Sequence, residues 1–196
     1  FGKEIFPASI RSRHVQVHLF DGYWEDIGTI RSFYEANLSL ATSAPPFDLT
    51  SVEAPIYTRP RFLPPSRVEG ATVRGSLVAD GCIIAEGAVV ENSIVGLRCH
   101  IGRDAVIRNS VVMGNDYYES EEDLAEDRRK GHPPLGIGSG THIEGAIVDK
   151  NCHIGHNVKI VNAQGLDSAE ETEHGMICDG VVVLPKGAVI PDGWKL

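Results

Sequence analysis

Val78-Ala79-Asp80-Gly81-Cys82-Ile83-Ile84-Ala85-Glu86-Gly87-Ala88-Val89-Val90-Glu91-Asn92-Ser93-Ile94-Val95 places aliphatic side chains at Val78, Ile84 and Val90, six residues apart. The frame then slips by one residue, and Val95, Ile101, Ile107 and Met113 continue the beat. A second block repeats it with Ile137 and Ile143, slips at Val148, and goes on through Ile154 and Ile160; Val183 and Val189 bring it back briefly. Six residues bury very little alone: one aliphatic points inward and the chain turns, so only stacked copies form a continuous core. The turns are supplied by Asp80-Gly81, Glu86-Gly87, Glu91-Asn92, Gly102-Arg103-Asp104, Gly138-Ser139-Gly140 and Gly155-His156-Asn157. Gly, Asn and Asp accept positive φ at small steric cost. An ordinary antiparallel sheet alternates without holding a six-residue register. The expected fold is therefore mainly β, a left-handed parallel β-helix of hexapeptide repeats.

Outward from this core the chain changes character. Val15-Gln16-Val17-His18-Leu19-Phe20 alternates as a half-buried strand that Asp21-Gly22 turns out of. An amphipathic helix follows, with Ile30, Phe33, Tyr34, Leu38 and Ala41 on one stripe and Thr29 as N-cap. One strand and one helix do not close a domain, and the first residues read as the middle of a longer chain. Residues 1–43 are thus expected to end a domain. Residues 44–66 form a proline-rich connector, extended and semi-rigid. Residues 67–196 form the β-helix, with an insertion at 115–135. Acids at Glu121, Glu122 and Asp123, bases at Arg128, Arg129 and Lys130, and Gly131 just beyond suit a short helix. With only Leu124 and Ala125 to offer apolar contact, that insertion reads as a solvated arm.

Composition narrows the function classes. The 196 residues are 42% hydrophobic, enough for a sizeable core, and no apolar run reaches membrane-spanning length. A net charge of −9 argues against a nucleic-acid surface but leaves room for a local anion pocket. The four cysteines, Cys82, Cys99, Cys152 and Cys178, show no paired spacing, which fits buried thiols in a reducing compartment. Hexapeptide coils also occur in acyltransferases that use a histidine base, and some bind Zn²⁺ through histidines. Here His153 and His156 flank inward-facing Ile154 without a carboxylate paired in sequence, so solvated corner residues are the expectation.

Phe1-Gly2-Lys3-Glu4-Ile5-Phe6-Pro7 and Tyr23-Trp24-Glu25-Asp26-Ile27-Gly28-Thr29-Ile30 resemble the closing part of the catalytic domain of glucose-1-phosphate adenylyltransferase, or ADP-glucose pyrophosphorylase. The resemblance runs on through Ala54-Pro55-Ile56-Tyr57-Thr58-Arg59-Pro60-Arg61-Phe62-Leu63-Pro64-Pro65, Ser93-Ile94-Val95-Gly96, Met113-Gly114-Asn115-Asp116-Tyr117-Tyr118, Gly136-Ile137-Gly138 and Ile147-Val148-Asp149-Lys150-Asn151. The plant and algal type, a heterotetramer of large and small subunits in the plastid stroma, is the nearest in pattern. The resemblance implies that residues 1–43 carry the last strand and helix of an α/β nucleotidyltransferase domain. It implies a reaction in which the phosphate of glucose 1-phosphate attacks the α-phosphorus of ATP, giving ADP-glucose for starch or glycogen synthesis and pyrophosphate, with Mg²⁺ as cofactor.

Residue by residue, Asp26 matches the family's metal-binding aspartate and is the one catalytic position on this chain. Read without the resemblance, it is equally a turn residue ahead of a helix. Arg61, Asp149, Lys150 and Lys186 match positions of the sites for the activator 3-phosphoglycerate and the inhibitor phosphate, and Arg59 stands where glutamine is common. Arginine offers phosphate a planar fork and lysine a mobile point charge. Each alone would read as a solvated corner charge. The nucleotide loop, the partner aspartate and the sugar-phosphate lysine of the family are not in this sequence, so the chain by itself is expected not to turn over substrate. A non-catalytic regulatory subunit of the same enzyme is the alternative. Cys178 replaces a frequent basic residue, a departure that bears on regulation.

Overall fold

The computed structural model describes residues 2–196. Its main body is a parallel β-helix with three faces, built from strands of two to four residues. The first face stacks β1 (Arg67–Val68), β4 (Ile83–Ile84), β7 (His100–Ile101), β10 (Gly136–Ile137), β13 (His153–Ile154) and β18 (Val189–Ile190). The second stacks β2 (Thr72–Arg74), β5 (Val89–Glu91), β8 (Val106–Arg108), β11 (His142–Glu144) and β14 (Lys159–Val161). The third stacks β3 (Leu77–Val78), β6 (Ile94–Val95), β9 (Val111–Val112), β12 (Ala146–Val148) and β17 (Val181–Leu184), then β16 (Gly175–Cys178) and β15 (Ala169–Thr172).

Register explains the slips in the hexapeptide beat. Ile84 pairs with Ile101, Val90 with Ile107 and Val95 with Val112, a coil of 17 residues rather than three full hexads. From Ile84 on the shortened side lies between the second and third faces; the first turn is shorter still, Val68 pairing with Ile84 only 16 residues on. The slip therefore recurs once per coil, and Val112, not Met113, continues the core, as do Leu184 and Ile190 rather than Val183 and Val189. Met113 and Val183 point outward into a second apolar cluster. At the short corner Asn92, Asn109, Gly75 and Gly145 take positive φ, which turns the chain in one residue less.

The core is a column of aliphatic layers. Ile84, Ile101, Ile107, Ile143, Ile154, Ile160, Leu184 and Ile190 are wholly buried. The corners are lined by smaller side chains. A serine ladder climbs one of them: Ser93 N–H donates to Ser76 Oγ (3.1 Å), Ser110 N–H to Ser93 Oγ (3.1 Å) and Ala146 N–H to Ser110 Oγ (3.2 Å). Buried hydroxyls are tolerated here because each also donates to a carbonyl two residues back, Ser93 to Glu91 and Ser110 to Arg108. Cys82, Cys99 and Cys152 occupy another corner as free buried thiols.

Helix α2 (Ile30–Ser39) forms as the sequence predicts, with Thr29 accepting the Ser32 N–H and Ser32 reciprocating in a capping box. Ile30, Phe33, Tyr34 and Leu38 pack against Val111, Ile147, Val181 and Val183 on the third face. Polar ties fix the docking: Tyr34 hydroxyl donates to the Asn109 carbonyl and the Arg31 guanidinium to that of Asp179. The predicted strand over 15–20 is not formed. The segment is exposed, with Val17 and Leu19 more than four-fifths accessible, since a lone strand finds no ladder partner among the described residues. A short helix α1 (Ile5–Ser9) precedes it; Phe1, which opens the first quoted motif, lies outside the described residues.

The insertion contains α3 (Glu121–Lys130), N-capped by Ser120 and closed by Gly131 in the left-handed region. As its composition leads one to expect, α3 is largely solvated and has no buried residue, but one side of it touches the coil. Asp127 on its inner side and Glu119 just before it face His153 on β13. That contact corrects the reading of His153 as a solvated corner, for its side chain is only 13% exposed. A second insertion, the antiparallel hairpin β15–β16, pairs onto β17 and went unmarked by periodicity because its outer strand is wholly exposed. Among the described residues no helix is long and apolar enough to cross a membrane.

Candidate functional site

The corner between the third and first faces stacks Gly81, Arg98, Asn115, Asn151 and Gly187. Successive turns are joined by Arg98 N–H to Asp80 O, Asn115 N–H to Leu97 O, Asn151 N–H to Gly114 O and Gly187 N–H to Lys150 O. Arg98 and Asn151 take positive φ there, as Gly81 and Gly187 do. Lys150 and Lys186, which precede Asn151 and Gly187, are thereby brought side by side although distant in the chain. Asp116, on the strand exit one turn earlier, lies between them.

Asp116 Oδ1 accepts from Lys150 Nζ at 2.7 Å and Oδ2 from Lys186 Nζ at 3.0 Å. Asn151 completes the cage, donating from Nδ2 to Oδ2 at 3.2 Å and accepting the Asp116 N–H at Oδ1, 2.8 Å. The lysine donors, Lys150 first, hold the Asp116 carboxyl well below the ordinary carboxylate range, and Asp116 in turn raises Lys186. All three side chains remain solvated, so this pairing is open to competition by another anion.

Against this cage lies a cleft of about 530 Å³. The connector supplies one wall, Arg59-Pro60-Arg61-Phe62, and the coil the other, with Leu97, Arg98, Met113, Asn115, Asp116 and Lys150. Arg98 is anchored rather than free: its Nη1 donates to Asn115 O (3.2 Å), Asn115 Nδ2 returns a bond to Arg98 O (3.0 Å), and the guanidinium lies 5.8 Å from the Tyr118 ring centre. Four cationic side chains thus border one cleft, and a fifth, Lys186, is joined to it through Asp116. Such an array suits a small multiply charged anion.

The structure brings together Arg59, Arg61, Lys150 and, through Asp116, Lys186. Asp149 is turned inward, its Oδ1 accepting the Lys150 N–H at 2.6 Å, so it orients the lysine's backbone. Asp26 stands apart from the cleft, exposed in the irregular stretch before α2. Sequence reasoning missed Arg98 and Asp116 as site residues. Arg98 was findable, since it falls 17 residues after Gly81 at the same corner, one coil on; Asp116 lay inside a quoted motif but its role depends on two lysines from later turns. Of the coil histidines, His156 accepts the Ser139 N–H at Nδ1 (2.9 Å) and His142 lies 3.2 Å from Glu144, both local contacts.

Fold and cleft together define a parallel β-helix protein with a basic pocket on one corner. The family model described as GLGC left-handed parallel beta-helix domain matches residues 61–194, and the chain belongs to that family. The nucleotidyl transferase family model matches residues 1–43. The two matches in this order fit the carboxyl-terminal part of a glucose-1-phosphate adenylyltransferase.

Proposed function

We propose that this chain is the carboxyl-terminal part of a subunit of plant-type ADP-glucose pyrophosphorylase, working in the plastid stroma within a heterotetramer of large and small subunits. Its partner substrates, ATP and glucose 1-phosphate, are handled by the catalytic domain whose end is residues 1–43. The product, ADP-glucose, serves starch synthesis. The β-helix serves assembly and allosteric regulation.

In this reading Asp26 is the catalytic residue of the chain and a ligand of Mg²⁺. Its exposed carboxylate suits that role, because Mg²⁺ takes one or two carboxylates alongside substrate phosphate oxygens and waters. When bound, the ion supplies neutralisation of phosphate charge as it spreads during transfer.

The convergence of Arg59, Arg61, Lys150 and Lys186 on one cleft supports an effector site for 3-phosphoglycerate and inorganic phosphate. Arg59 and Arg61 meet the anion with forked donors, Lys150 and Lys186 with mobile charges released from Asp116, and Asp149 steadies the turn that carries Lys150. Effector binding there ties the connector to the coil, which is a physical route from pocket to catalytic domain.

The test is activation of the complete subunit assembly. Lys150→Ala and Lys186→Ala each raise the half-saturating 3-phosphoglycerate concentration about tenfold, the usual worth of one charge-assisted contact. Unchanged activation curves in both variants would remove the effector assignment. ADP-glucose formation by an assembly containing this subunit, lost when only this subunit is disabled upstream, separates a catalytic subunit from a regulatory one.

A further inference from the structure

Glu119, Asp127 and His153 meet where the α3 insertion rests on the first face of the coil, and one donor atom from each lies within 4.8 Å of the others. Asp127 and His153 are largely shielded, their side chains 16% and 13% exposed. His153 Nδ1 is 3.5 Å from Asp127 Oδ2 and 2.9 Å from the Pro133 carbonyl, and His132 Nδ1 is 3.7 Å from Asp127 Oδ1. Glu119 is satisfied on one side only. Its Oε2 accepts the Leu135 N–H at 2.9 Å, while Oε1 is buried and has no hydrogen-bond partner among the described residues. A buried acceptor without a donor is costly, and two carboxylates turned towards one another add repulsion.

We propose that Glu119, Asp127 and His153 form a binding site for a divalent cation of the Zn²⁺ class, which clamps the insertion to the coil. The chemistry of the donors selects the ion: an imidazole nitrogen with carboxylate oxygens suits Zn²⁺, whereas Mg²⁺ and Ca²⁺ take oxygen alone. Tetrahedral coordination at about 2.0–2.1 Å sets donor atoms roughly 3.4 Å apart. His153 Nδ1 and Asp127 Oδ2, 3.5 Å apart, already stand at that spacing; Glu119, within 4.8 Å and held only at Oε2, has to close in, and His153 Nδ1 has to give up the Pro133 carbonyl to ligate. A bound cation satisfies the orphaned Oε1 and cancels the carboxylate repulsion at once. Because Glu119 precedes α3, Asp127 is on it and His153 is on β13, the cation would cross-link the insertion to the coil. The site is separate from the basic cleft and stands or falls independently of the effector reading.

The experiment is a Zn²⁺ titration of the untagged protein against a chromophoric chelator, paired with limited trypsinolysis at Arg128, Arg129 and Lys130 of α3. The expected result is one tight equivalent of Zn²⁺ that both His153→Ala and Glu119→Gln lose. Glu119→Gln keeps the side-chain volume, so its loss of Zn²⁺ with an unchanged circular dichroism spectrum is not a folding failure. Zn²⁺ should slow tryptic cleavage at least tenfold in the parent and leave both variants unaffected. No uptake of Zn²⁺ by the parent would overturn the proposal and mean that Glu119 and Asp127 share a proton instead. Retention of the equivalent in either variant would overturn it equally, and unchanged cleavage on Zn²⁺ binding would remove the clamping role.

Discussion

Asp116 and Lys186, 70 residues apart in the chain, are joined by a 3.0 Å ion pair across the corner of the coil, and Lys150 shares the same carboxylate. If the cleft takes phosphate as proposed, the Asp116 carboxylate competes with the incoming oxygen for the two lysines, and binding exchanges one negative partner for another.

Asp116→Asn should tighten phosphate binding. It leaves the lysines unpaired and makes the cleft one charge more positive, so the dissociation constant is expected to fall about three- to tenfold at low salt, the range of an exposed ion pair. Calorimetric titration with inorganic phosphate checks this. Weaker binding by the variant would mean that Asp116 positions the lysines for the anion rather than competing with it.

The cleft should be insensitive to pH across the neutral range. The Asp116 carboxyl is held below its ordinary value by Lys150 and Lys186. A depressed carboxylate contributes fully above its unfolded pKa of about 3.9, and that contribution is lost only as pH falls through the lower folded value. Lys186, raised in turn, stays charged throughout. Sulfate, which does not titrate in this range, should bind with an affinity constant to within about twofold from pH 5 to 8. A steep change over that interval would place another titrating group in the cleft.

Asp26→Asn in the complete enzyme should lower turnover by roughly a hundredfold or more and raise the Mg²⁺ concentration needed for half-maximal rate, because an amide is a poorer ligand than a carboxylate. Steady-state rates across a Mg²⁺ series supply the test. If both quantities match the parent, Asp26 is a turn residue and not a metal ligand.

One thiol of the four should react quickly. Cys82, Cys99 and Cys152 are buried, and burial pushes the Cys152 thiol up to about 11, with Cys82 and Cys99 also raised. Cys178, partly exposed at the end of β16, is the accessible one. Labelling with a disulfide reagent at pH 8 should show a single fast equivalent in the native protein and four after denaturation. Two or more fast equivalents would show that the coil opens at the cysteine corner.

Ser110→Ala should cost about 1–3 kcal/mol of stability, since it strands the buried Ala146 N–H without an acceptor. Urea denaturation measures it. A loss below about 0.5 kcal/mol would mean that water replaces the hydroxyl in the ladder.

The coil was legible because its physics is local and repetitive: each turn needs one inward aliphatic per face and a residue that tolerates the corner, and both are visible in one dimension. The strand over 15–20 was misread for the complementary reason. Alternation reports that a segment suits a sheet, but a strand exists only with a ladder partner, and Val17 and Leu19 have none among the described residues. His153 was misread because its partners, Glu119 and Asp127, belong to the insertion.

By itself the sequence determined the β-helix and the capped helices α2 and α3, and motif order picked out Arg59, Arg61, Lys150 and Lys186 but not Arg98, since periodicity, capping residues and motif order are properties of neighbours in the chain. Tertiary structure alone decided that Val112, Leu184 and Ile190 carry the core, because the 17-residue coil repeats its short corner on every turn. It likewise decided that Lys150 and Lys186 share Asp116, and that Glu119 and Asp127 meet His153. Those contacts join residues on different turns or across an insertion, and their distance in space follows from how the coils stack, which no local pattern encodes.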